Sequence, residues 1–183
     1  MMLHPELVLV AYALSGVTLK AADVLGETGK TRRSFLAATI SAVLFGLLTS
    51  ESGFSASLIF GLILGVIASK KVNRPNLVLG VILTLGFAIY FGVQTPTPWL
   101  LITVALFTFI DELGHEKLRR HKGVPAVFFQ YRLSLKLAMI GLALSAQIQA
   151  LQLLGFLCFD LCYDVTNYLV KKAGGRRSAT RIK

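Results

Sequence analysis

Seven apolar runs, separated by short segments that hold most of the charges, make up nearly the whole chain. A run of roughly 20 apolar residues can cross a bilayer as a helix, because a helix pairs its own backbone groups where lipid offers no partner. The runs are Glu6–Ala22, Ser34–Thr49, Phe54–Ser69, Leu77–Val93, Pro98–Ile110, Val124–Ala146 and Ile148–Val170. Several are only about 16 residues long, and their polar flanks could extend them. The pattern predicts an all-α, polytopic integral membrane protein with about seven transmembrane helices.

Composition agrees with this fold class. Hydrophobic residues make up 55% of the 183 residues, and the mean hydropathy of +0.69 is too high for an ordinary soluble domain. The first residues, Met1–Glu6, lack the basic region of a cleavable signal peptide, so the first run should stay in the mature protein. The two cysteines, Cys158 and Cys162, are four residues apart, which is not the spacing of a zinc or redox site, and we interpret them as packing thiols.

Basic residues follow every second apolar run. They lie in the segments 30–33, 70–74, 117–122 and 171–183, whereas the alternate segments 1–6, 50–53, 94–97 and 146–149 contain no Lys or Arg. The positive-inside rule then predicts a multi-pass protein of the cell membrane with its N-terminus outside and a basic cytoplasmic tail at 171–183. The net charge of +10 is therefore expected to meet anionic lipid headgroups, and no nucleic-acid partner is predicted.

A short sequence match predicts an internal repeat. Asp23-Val24-Leu25-Gly26 closes the first run and Asp111-Glu112-Leu113-Gly114 closes the fifth, about 88 residues later. The same offset carries the second and third runs close to the sixth and seventh. We predict repeat 1 at about 5–74, a linking helix at 77–93 and repeat 2 at about 97–170. An even number of crossings between equivalent runs would make this a parallel 3+1+3 repeat, an arrangement found in some small transporters.

The last two apolar runs carry ionisable residues, which need partners inside a membrane. If the runs form antiparallel helices joined at residues 146–149, Lys136 and Asp160 lie at similar depths, about 11 and 12 residues from the turn. Arg132 and Asp164 match in the same way, one turn further on. We therefore predict two stacked intramembrane ion pairs, Lys136–Asp160 and Arg132–Asp164. Such pairs could serve chemistry or could only fix the register of the helices.

Further acids lie where the first and fifth runs meet the cytoplasmic side. Asp23, Asp111 and Glu112 could form the mouth of a polar funnel leading to Lys136 and Asp160. The leading hypothesis is a membrane transporter or channel for a small polar or ionic solute. Its predicted pathway consists of Arg132, Lys136, Asp160, Asp164, Asp23, Asp111 and Glu112.

Two other functions remain open at this stage. The first is a magnesium-dependent enzyme that acts on a phosphorylated lipid at the cytosolic leaflet, with Asp23, Asp111 and Asp164 as Mg²⁺ ligands and Arg132 and Lys136 on the lipid phosphate. The second is a structural subunit of a larger membrane complex, in which the ion pairs would serve packing alone. A homo-oligomer is compatible with all three functions, and no cofactor is firmly predicted outside the magnesium hypothesis.

Overall fold

A computed structural model describes residues 4–29, 31–118 and 123–180, apart from the side chains of 126, 130 and 171–180. Across these residues every element of regular secondary structure is an α-helix, and no strand occurs. The eight helices are α1 (Pro5–Glu27), α2 (Thr31–Glu51), α3 (Gly53–Ala68), α4 (Pro75–Phe91), α5 (Pro98–Leu118), α6 (Val124–Gln130), α7 (Leu133–Leu144) and α8 (Ala150–Thr180). The all-α prediction is therefore confirmed.

Three of these helices are long and apolar enough to cross a membrane: Pro5–Glu27, Thr31–Glu51 and the stretch Ala150–Val170 of α8. Shorter apolar helices occur at Gly53–Ala68, Pro75–Phe91 and Leu133–Leu144. Polar flanks extend several of the apolar runs, most clearly in α5, which continues from Ile110 to Leu118. Helix α8 continues past residue 170 into the basic segment that the sequence predicted as a tail.

Local sequence explains where several helices begin and end. Proline occupies the first turn of α1, α4 and α6, where its missing N–H costs no helical hydrogen bond. The Ser52 hydroxyl caps α3 by accepting a hydrogen bond from the Ser55 N–H at 3.1 Å. Gly92 follows α4 with φ of 87°, a conformation that most side chains disfavour, and so permits the turn toward α5.

The prediction of one continuous helix over the sixth apolar run, Val124–Ala146, is wrong. The run is broken into α6 and α7 at Tyr131 and Arg132. Arg132 adopts a left-handed backbone conformation with φ of 50° and ψ of 43°, which stops α6 and starts α7 along a new direction. The α7–α8 turn lies at residues 145–149, where the sequence predicted it.

Close helix packing depends on small residues. The most extensive helix contacts are those of α1 with α2 and α8, of α2 with α4, and of α3 with α5. A Cβ atom added to Gly16 of α1 would fall on the carbonyl oxygen of Phe159 in α8, so these two backbones touch. Gly61 and Gly65 of α3 likewise leave room for the side chains of Val104 and Thr108 of α5, which a Cβ atom at either glycine would meet. Glycine at helix crossings is typical of helices packed within lipid.

The two ends of the helix bundle differ in the bonds that join the helices. At one end the cross-helix bonds involve hydroxyl and backbone groups: Tyr12 Oη donates to Ser55 Oγ at 2.7 Å, and the Thr97 N–H donates to Ser57 Oγ at 2.7 Å. Toward the opposite end of the bundle the helices are joined by ion pairs. The charged side chains of the candidate site all lie toward that end.

Candidate functional site

Seven ion pairs among the described residues lie toward the same end of the helix bundle. They are Lys20–Asp23, Lys71–Glu116, Arg74–Asp23, Arg74–Glu27, Arg132–Glu112, Lys136–Asp160 and Lys136–Asp164. The pairs near the helix ends are partly exposed, as in Lys71–Glu116, where 34% and 64% of the two side chains are accessible. The pairs of α7 and α8 lie deeper and are largely shielded.

The deepest group is a triad of Lys136 with two carboxylates of α8. Lys136 Nζ lies 2.7 Å from Asp160 Oδ2 and 3.1 Å from Asp164 Oδ2, so the predicted Lys136–Asp160 pair is confirmed. Only 4% of the Asp160 side chain is accessible, compared with 17% of Lys136 and 20% of Asp164. Lys136 Nζ also donates a hydrogen bond to the Tyr131 carbonyl at 2.6 Å. With all three groups ionised, the triad has a net charge of −1.

The second predicted ion pair, Arg132–Asp164, is wrong. Arg132 Nη2 instead contacts Glu112 Oε1 of α5 at 2.6 Å, and Asp164 shares Lys136 with Asp160. The prediction assumed an unbroken helix that would hold Arg132 and Lys136 on one face. Because the chain turns at Arg132, its side chain leaves that face and reaches α5, where Glu112 is largely buried and needs a cation.

Tyr163 joins the two halves of the chain. Its hydroxyl oxygen lies 3.5 Å from both Lys20 Nζ of α1 and Arg132 Nη2, which donate to it. Both cations also lie over the ring, at 4.9 Å and 4.6 Å from its centroid. Sequence reasoning missed Tyr163 because it considered only formal charges. Its position three residues after Asp160 was the signal that the two side chains lie on neighbouring positions of the same side of α8.

Asp111 has a different position from the one predicted for it at the mouth of a funnel. Its carboxylate is buried, with 1% of the residue accessible, and it accepts hydrogen bonds from the backbone N–H groups of Ser134 at 3.2 Å and Leu135 at 2.9 Å. These groups are among the unpaired donors at the N-terminus of α7. Asp111 therefore holds the start of α7 in place, directly after the break at Arg132.

Asp23 lies nearer the end of the bundle. It accepts a hydrogen bond from Lys20 Nζ at 2.9 Å, and Arg74 Nη1 lies 3.5 Å from its other oxygen while donating to the Asp23 carbonyl at 3.2 Å. Arg74 also pairs with Glu27 at 3.1 Å. Asp23 thus connects α1 to the segment that precedes α4.

The three carboxylates assigned to magnesium have separate partners. Asp23 contacts Lys20 and Arg74, Asp111 binds the backbone of α7, and Asp164 contacts Lys136. In the part of the chain that the structure describes, no group of three or more His, Cys, Asp or Glu side chains is arranged to hold a metal ion. The donor set does not fit a magnesium site, because each carboxylate already faces a cation or a helix N-terminus.

Comparison with known proteins gives no relationship: no family model, curated protein or solved structure matches the chain.

Proposed function

We propose that the chain crosses the membrane seven times, with α6 and α7 sharing one crossing, the N-terminus outside and the C-terminus in the cytoplasm. Support comes from the order of the connecting segments, since the basic ones alternate with those that lack Lys and Arg. Together α6 and α7 cover Val124–Leu144, a stretch of chain close to the roughly 20 residues that one crossing takes. Large apolar side chains such as Leu36, Ile82 and Leu161 are exposed, as lipid-facing residues would be.

The proposed parallel repeat is supported by which helices pack together. In this repeat, α5 would be the equivalent of α1, the pair α6–α7 the equivalent of α2, and α8 the equivalent of α3. The extensive contact between α1 and α8 then corresponds to the contact between α5 and α3, which is of similar extent. Helix α4 has no equivalent and would be the linking helix, packed mainly on α2.

We propose that the protein is a transporter or channel for a small polar or ionic solute, and that the solute binds at the triad of Lys136, Asp160 and Asp164. The observation that carries this proposal is a shielded, net negative cluster beside a broken helix. Ionisable groups inside a membrane bundle usually mark a pathway, and discontinuous helices often form the binding sites of carriers. The excess negative charge favours a cation over an anion or a neutral solute.

The triad offers a physical route for exchange. A cation that enters could replace the Lys136 ammonium on the two carboxylates, which would keep the charge near neutral in a medium of low dielectric constant. Lys136 already donates to the Tyr131 carbonyl, so the displaced ammonium would retain an acceptor at the helix break. Tyr163 and Arg132 would connect such a movement of α7 to α1 and α5.

Flux through proteoliposomes tests the proposal. Uptake of Na⁺ and Rb⁺ isotopes, protons reported by a pH-sensitive dye, and a neutral polar solute would be measured for the parent protein, Asp160→Asn and Asp164→Asn. We expect a cation flux that falls at least tenfold in both variants. Glu116→Gln is the control, because it removes a carboxylate of an exposed pair and should leave flux unchanged.

Two results would contradict the proposal. Cation flux that is equal in the parent protein, the Asp160 and Asp164 variants and empty liposomes would leave the triad with a packing role, as expected for a structural subunit. A covalent product formed from a phosphorylated lipid in the presence of Mg²⁺, and lost in Asp23→Asn and Asp111→Asn, would instead establish the enzyme hypothesis.

A further inference from the structure

A surface groove runs between α2 and α4, away from the triad. We call it the α2–α4 groove, and its volume is about 490 Å³. Phe35 of α2 and Val78 and Ile82 of α4 form its apolar wall, while Asn73 and Arg74 form its polar end. The groove therefore has one charged end and one apolar end, and it opens on the face where Ile82 is 60% exposed.

The two chain segments that flank the polar end, 31–33 and 70–74, hold five basic residues and no acidic one. Arg74 is fixed in direction by Glu27 and Asp23, yet about a third of its side chain remains accessible. Arg32 is exposed on the first turn of α2, three residues before Phe35, and this spacing places it on the groove side of the helix. Arg33 is also exposed, but it lies about 200° around the helix axis from Phe35 and therefore faces away from the groove.

We propose that the α2–α4 groove binds an anionic phospholipid. The phosphate would contact Arg32 and the Asn73 amide beside Arg74, and an acyl chain would lie along Phe35, Val78 and Ile82. Two features favour a lipid over a protein segment: the charge of the polar end complements an anionic headgroup, and the apolar end continues into exposed apolar residues of α2 and α4 such as Ile82. Basic pockets between helices at the cytoplasmic surface bind acidic lipids for these reasons.

The binding proposal requires only that the bundle is inserted in a membrane. It does not depend on transport, because the groove and the triad share no residue. Loss of flux in the Asp160 variant would leave lipid binding intact, and loss of lipid binding in the groove variants would leave the proposed solute site intact.

Thermal melting of the detergent-purified full chain measures the binding. Dioleoyl phosphatidylglycerol should raise the melting temperature in a concentration-dependent way, because a ligand of the folded state stabilises it by mass action. Dioleoyl phosphatidylcholine and inorganic phosphate, at matched concentrations, should give a much smaller shift. Equal shifts from the two phospholipids would overturn headgroup recognition, and an equal shift from inorganic phosphate would show an anion site that needs no lipid.

Two pairs of variants locate the site. Arg32→Gln should weaken the apparent affinity for phosphatidylglycerol about fivefold, while Arg33→Gln, with the same loss of charge on the opposite face, should leave it near the parent value. Ile82→Trp should fill the groove and abolish the shift, whereas Ile89→Trp, two turns further along the same exposed side of α4, should preserve it. Equal effects within either pair would overturn the assignment to the α2–α4 groove.

Discussion

Removing the Lys136 charge should destabilise the protein more than removing either carboxylate that contacts it. At an effective dielectric constant of about 20, Coulomb's law gives about 6 kcal/mol for a pair at 2.7 Å and about 5 kcal/mol for a pair at 3.1 Å, the separations from Lys136 to Asp160 and Asp164. Desolvation and repulsion between the two carboxylates offset much of this attraction. Loss of one partner from a buried pair costs about 3–5 kcal/mol, and Lys136→Met strands two carboxylates, so we expect the upper part of that range.

The carboxylate variants differ because each leaves a neutral pair. Asp160→Asn retains Lys136 with Asp164, and Asp164→Asn retains Lys136 with Asp160. We expect each to cost about 1–3 kcal/mol, less than Lys136→Met, because an ion pair remains after either change, with the larger loss at the more buried Asp160. The triple variant of Lys136→Met with both asparagines contains no stranded charge and should be more stable than Lys136→Met alone.

Reversible unfolding in mixed detergent micelles, followed by helical circular dichroism against the fraction of denaturing detergent, would give these free energies. Lys71→Met and Glu116→Gln are the matched controls, and each should cost less than about 1 kcal/mol because that pair is exposed. The reasoning is refuted if the triple variant loses as much as the three single variants together, because additive losses mean that the three groups do not interact.

Three further predictions concern packing and the helix break, with stability read in the same unfolding experiment. Gly16→Ala should cost about 1–3 kcal/mol because its Cβ would meet the Phe159 carbonyl. Gly86→Ala, where nothing lies within 4 Å, should be neutral or stabilising. Equal effects of the two changes would contradict the close crossing of α1 and α8. Asp111→Ala should cost about 1–2 kcal/mol through the lost acceptor at α7, and Asp111→Asn less, because it keeps one acceptor oxygen; the reverse order would count against this role. Arg132→Gly should be about 1 kcal/mol more stable than Arg132→Ala, since both lose the ion pair but only glycine adopts φ of 50° without strain, and an alanine variant of equal stability would argue against the left-handed conformation.

Helix positions and one ion pair were predictable because they depend on short-range rules. Apolar run length located the helices, and the constant rise of a helix placed Lys136 level with Asp160 when both were counted from the turn at 145–149. The same count failed for Arg132, because it assumed that the helix continues through Tyr131. Neither residue is a glycine or proline, so local sequence carries no strong sign of a break.

The break depends on contacts that are distant in sequence. Asp111 accepts the first free N–H groups of α7, and Glu112 draws the Arg132 side chain toward α5. Both acids were selected from the sequence as solvent-facing site residues because they follow an apolar run. Their actual roles arise from the packing of α5 against α6 and α7, and periodicity along a single segment cannot reveal such packing.

The proposed repeat also explains why the charged site would form in only one half. In the first half, α2 is continuous and is covered by α4, with Ala38 packed near Gly80 and Gly46 against Phe87. In the second half, α6 and α7 would occupy the equivalent place, and no helix in the described part of the chain covers them as α4 covers α2. A broken, less covered helix can change its position at lower cost than a continuous one held on two sides. The duplication would thus have left a rigid half built on α2 and a more mobile half that carries Lys136, as a carrier with its site between the halves requires.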